Sequence, residues 1–157
     1  MTEKIPTTYN CFDNIQLAIL IEVVGLIIPK SPEYEAPGAD DPKIFSKILN
    51  LCEKKQKFIS QHLNTIEKTS RTQYKKPFVE ADFEIKTNIL NSIGRDSQFF
   101  SFLIKTVVQF YYQDDRVLKS LDIAARPPYP LGHEVEQGDL SLLEPVRARG
   151  EIFRKVS

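Results

Sequence analysis

The 157-residue chain has no tryptophan, a single methionine, two cysteines and two histidines. Cys11 and Cys52 form no CxxC pair and share no ligand spacing with His62 or His133, so a zinc site is not expected. Two readings of the thiols stay open: a Cys11–Cys52 disulfide, or two free thiols, one near a helix start and one on the core face of a helix. An excess of charge of one sign is also missing. Lys plus Arg number 21 and Asp plus Glu 21, whereas phosphate-dominated binding needs a basic excess on one face. The pairs Lys54-Lys55 and Lys75-Lys76 sit among acidic or polar residues and read as solvated helix faces, not as a nucleic-acid surface.

No apolar run is long enough for a membrane span, which needs about 18 or more residues with few charges. The longest, Ile15 to Ile28, contains Gln16, Glu22 and Gly25 and stops at Pro29. It also fails as a secretory core, because only Lys4 precedes it as a positive charge and no small-residue cleavage site follows. Without a twin-arginine pair at its start, the chain as written is expected in the cytoplasm. Glycines do not cluster into a phosphate loop: Gly25 and Gly94 stand alone, and Gly132, Gly138 and Gly150 are widely spaced. No nucleophile elbow is recognisable. No catalytic, cofactor-binding or metal-binding set is therefore assigned to this chain.

What is present is helical periodicity. Asp13 or Asn14 can cap a first helix that runs to about Ile28, with Leu17, Leu20, Ile21, Val24 and Ile28 on one side and Ile19, Val23 and Ile27 on the other. Its β-branched content keeps a buried strand as the alternative. Pro29, Pro32, Pro37 and Gly38 make a loop, and Asp41 before Pro42 starts the next helix. Ile44, Phe45, Ile48, Leu49, Cys52, Ile59, Leu63 and Ile66 then keep helical spacing as one long element. Residues 69–77 read as a short polar connection.

Phe83, Ile85, Ile89, Leu90 and Ile93 predict a third helix closed by Gly94. Asp96 or Ser97 caps a fourth, the most apolar, running from Phe99 to Tyr112. This helix belongs at the bundle centre, or at the centre with one side facing a partner; its aromatics read as core before they read as a cofactor box. The acidic pairs Asp40-Asp41 and Asp114-Asp115 sit at helix ends, where capping explains them more simply than acid–base catalysis. A short turn holds Val117, Leu118 and Leu121. The expected fold is all-α: about four main helices in a core over residues 1–123, then an irregular Pro- and Arg-rich segment, 124–157, as part of the same domain.

That last segment carries anchors (Tyr129, Leu131, Leu142, Leu143, Val146, Ile152 and Phe153) interspersed with Arg126, Arg147, Arg149 and Arg154. Arginine beside apolar anchors is the composition of a docking surface. Wrapping on its own helical core is the other reading, and both can hold.

The segment also carries a resemblance. Arg126-Pro127-Pro128-Tyr129-Pro130-Leu131-Gly132, followed by the stretch from Leu140 to Arg154 (LSLLEPVRARGEIFR), resembles the C-terminal signature of the gluconate 2-dehydrogenase subunit 3 family. Leu20 to Pro29 with Pro37-Gly38-Ala39 is similar to that family's first helix and PGA loop. Phe99 to Asp115 is similar to its aromatic helix, with Asp115-Arg116 where the family has Asp-Pro. The resemblance implies a small, cofactor-free, non-catalytic subunit or maturation partner. Its implied partner is a large FAD-containing dehydrogenase of the glucose–methanol–choline type that oxidises sugars or sugar acids, often with a cytochrome c subunit. Arg126, Pro127, Pro128, Tyr129, Leu131, Leu143, Arg147, Arg149, Phe153 and Arg154 are the expected partner-binding residues. Periplasmic residence is the alternative if a twin-arginine leader has been removed. The competing reading is a stand-alone helical enzyme or ligand-binding domain.

Overall fold

The computed structural model describes residues 11–94, 97–126, 129–130, 132 and 138–150. The chain divides into two compact units, residues 1–125 and 126–157. The first unit contains α1 (Asn14–Ile27), α2 (Pro42–Glu53), α3 (Gln56–Thr69), α4 (Phe83–Ile93), α5 (Gln98–Tyr111) and α6 (Asp115–Ser120). The second contains the 3-10 turn Leu140–Leu143 and α7 (Glu144–Ala148). No strand occurs among the described residues; the only extended pairing there is an isolated bridge between Ser31 and Ala36. The all-α expectation therefore holds, and the first helix is not a strand.

Local chemistry sets the helix boundaries. Asp13 caps α1 in a reciprocal box: its carboxylate accepts from Gln16 N–H at 2.7 Å, and Gln16 Oε1 accepts from Asp13 N–H at 3.2 Å. Asp41 caps α2, accepting from Lys43 N–H at 3.0 Å, with Pro42 at the first helical position. Ser97 caps α5 through Phe100 N–H, and Asp114 caps α6 through Arg116 N–H. Gly94 ends α4 at φ 91°, a conformation that a side chain resists.

The expected single helix over 42–66 is two helices. The backbone leaves helical geometry at Lys55 (φ −120°, ψ 31°), and Lys55 N–H bonds back to Cys52 O at 3.0 Å. A straight helix over 42–69 would be about 42 Å long, well beyond the roughly 30 Å width of a small domain. The break lets α2 pack on α5 while α3 packs against α1, α4 and α5. The core consequently holds five longer helices and the short α6, more than the four main ones expected. The connection after α3 is also more structured than a polar link. It forms a π-helical turn at Ser70–Tyr74 and a 3-10 turn at Phe78–Glu80. Phe78 is fully buried, and its N–H donates to Glu67 Oε2 at 3.0 Å.

The core is built from Ile19, Leu20, Val23 and Val24 of α1, Ile44, Ile48 and Leu49 of α2, Ile59, Leu63 and Ile66 of α3, and Phe99, Leu103 and Val107 of α5. The buried face of α1 takes residues from both expected sides, Leu20 and Val24 with Ile19 and Val23, and Leu17, Ile21 and Ile27 are half-buried beside it. Two polar staples cross the core edge. Gln16 Nε2 donates to Asn64 Oδ1 at 2.9 Å, and Lys86 Nζ pairs with Glu22 at 2.7 Å. His62 stacks flat on Phe99 at 4.7 Å, and its Nδ1 bonds the Phe58 carbonyl.

Candidate functional site

The loop between α1 and α2 meets α5 and α6 in one polar junction. Arg116 donates from Nη1 to Asp41 Oδ2 at 3.0 Å and from Nη2 to Asp41 Oδ1 at 2.6 Å. Its Nε also donates to Asp114 Oδ1 at 2.9 Å. The Asp114 side chain is wholly buried and that of Arg116 45% exposed. These hydrogen bonds hold both carboxyls below the usual carboxylate range and raise the arginine's own pKa. Tyr111 O–H donates to Pro37 O at 3.0 Å, and burial pushes its phenol up.

Within the same loop a Cβ on Gly38 would run into the Asp40 carboxylate and come within 2.9 Å of Lys30 N. Gly25 lets α1 lie close to the Asp40 side chain. The carboxylates at Asp41 and Asp114 are occupied in capping and ion pairing, as capping at helix ends leads one to expect. They form a structural clasp.

Open apolar surface runs along α5. Ile104, Val108 and Tyr112 recur every four residues on the outer edge of α5, and all three are exposed. At the Ile104 end lies an apolar groove of about 350 Å³ walled by Leu26, Ile27, Phe83, Leu90 and Phe100. Phe83, one of the apolar residues whose spacing predicts α4, is 72% exposed and forms one lip of that groove. At the Tyr112 end a second hollow of about 250 Å³ is lined by Tyr34, Tyr112 and Leu121. Contiguous apolar exposure of this kind marks interaction surface more often than scattered single residues do. α5 lies in the core through Phe99, Leu103 and Val107, as expected, and its Ile104–Val108–Tyr112 edge is exposed.

The second unit presents most of the described docking candidates to solvent. Arg126, Arg147 and Arg149 are exposed, Tyr129 is 85% exposed and Leu143 44%. Leu140, Leu142 and Val146 are exposed as well, and no described residue of 138–150 is buried. The described residues 138–150 hold two short helical turns and no long regular element. Asp139 accepts from Ser141 N–H at 3.0 Å to start the 3-10 turn, and Pro145 sits in the first turn of α7, where its missing N–H costs nothing. Hydrogen bonds from Ser141 hold the Asp139 carboxyl below its ordinary range. Leu143 and Arg147 lie one turn apart, as do Leu142 and Val146. Pro127, Pro128, Leu131, Phe153 and Arg154 lie outside the described residues.

Cys11 and Cys52 are both free thiols, the first exposed and the second buried on α2. Among the described residues no group of three or more His, Cys, Asp or Glu side chains is placed to hold a metal ion. No helix there is long and apolar enough to cross a membrane.

No curated protein and no solved structure matches the chain. A family match does exist, and it falls on the helical unit, not on the Pro- and Arg-rich signature of residues 126–154. The family described as gluconate 2-dehydrogenase subunit 3 matches residues 14–124, from the start of α1 to just past α6, which is most of the 157 residues. By that match over its helical core, the chain belongs to the gluconate 2-dehydrogenase subunit 3 family.

Proposed function

We propose that this chain is the non-catalytic small subunit, or the maturation partner, of an FAD-dependent dehydrogenase of the glucose–methanol–choline type that oxidises a sugar or sugar acid. FAD resides on the large partner, and a cytochrome c subunit completes the electron path. The chain itself carries no FAD, haem or metal. The observation that carries this reading is membership, over residues 14–124, of a family described as a dehydrogenase subunit. The exposed side chains Leu142, Leu143, Val146, Arg147 and Arg149 support it, since leucine and valine beside arginine suit a protein interface. Residues 124–157 make much of the contact. Arginine there pairs with carboxylates or backbone carbonyls of the flavoprotein.

The test is co-expression with a large FAD-containing dehydrogenase of the glucose–methanol–choline type, followed by affinity capture and gel filtration. Co-elution with flavin absorbance that belongs to the large subunit is the expected result. Deletion of residues 124–157 is expected to leave the helical circular dichroism intact and abolish capture. A truncated chain that stays folded and captures the flavoprotein as well as the full chain would remove the docking role. Sugar oxidation by the isolated chain, with stoichiometric flavin, would replace the whole reading by that of an independent enzyme. Stable co-purification separates a permanent subunit from a partner that binds only during maturation.

A further inference from the structure

We draw no further inference here: the strongest candidate, the apolar groove between α1, α4 and α5 with the exposed edge Ile104–Val108–Tyr112, carries nothing because nothing in the structure shows what covers it.

Discussion

Arg116 grips Asp41 across 75 residues of sequence with two parallel hydrogen bonds, of 3.0 and 2.6 Å, while its Nε holds the buried Asp114. One guanidinium thereby ties the carboxylate that caps α2 to the carboxylate that caps α6.

Arg116→Ala is expected to destabilise the helical unit by about 2 kcal/mol, the usual scale for losing hydrogen bonds to a charged group. The half-exposed Asp41 arm contributes the smaller part, because exposed pairs are worth at most about 1 kcal/mol. The larger part comes from Asp114, left buried without its partner. Urea denaturation should show the loss, and the melting temperature should fall by roughly 5–10 °C. Arg116→Lys should recover little, since an ammonium cannot serve two carboxylates in the plane of a fork. Unchanged stability in Arg116→Ala would show that the clasp is ornamental.

The same clasp gives stability a pH dependence of known sign. Asp41 and Asp114 have folded pKa values below their ordinary value of 3.8. Their contribution is therefore fully present above that value and is lost as pH falls through the lower, folded values. Denaturation midpoints between pH 7 and pH 2 should drop at the acid end. The Asp41→Asn, Asp114→Asn double variant should start lower at neutral pH and show a shallower acid decline. An equally steep decline in the double variant would assign the acid sensitivity to other groups.

The two thiols should differ sharply in reactivity. Burial pushes the Cys52 thiol up to about 12, which leaves almost no thiolate at pH 8. Cys11 is exposed. An aromatic disulfide reagent at pH 8 should titrate one thiol quickly in the native chain and the second only in denaturant. Cys11→Ser should abolish the fast phase. Two fast thiols would mean that α2 opens readily. Because the Cys52 value lies above the ordinary 9.0, its ionisation also favours the unfolded chain from about that pH upwards.

Gly38→Ala should be costlier than an exposed loop substitution, because the new Cβ would meet the Asp40 carboxylate and the Lys30 backbone nitrogen. A loss of about 1–3 kcal/mol is expected, the range for overpacking a tight site. Gly138→Ala is the control, since a Cβ there meets nothing within 4 Å. Equal effects of the two in thermal melts would contradict the close approach.

If the proposed subunit role holds, the double variant Arg147→Ala, Arg149→Ala should weaken flavoprotein capture. Truncating a buried arginine anchor typically costs about 2 kcal/mol or more, roughly thirtyfold in affinity. Both side chains are exposed in the isolated chain, so the melting temperature should barely move. A large fall in melting temperature with capture intact would favour the self-wrapping reading over docking.

The sequence by itself determined the features that short-range chemistry controls. Asp13, Asp41-Pro42, Ser97 and Asp114 start helices, and Gly94 ends one, because each satisfies or frees backbone groups within four residues of itself. Apolar spacing likewise located most of the buried positions on α2, α3 and α5, and the family resemblance was readable from short motifs. Tertiary structure decided the rest. No glycine or proline marks the break at Lys54-Lys55; it lets α3 reach α1 and α4 while α2 and α3 both stay packed on α5. Phe83 and Ile104 are as apolar as their buried neighbours, yet periodicity only orders residues around a helix and cannot say which arc a neighbouring helix will cover. The grip of Arg116 on Asp41 joins positions 75 residues apart, and only the folded chain brings them within reach of a hydrogen bond.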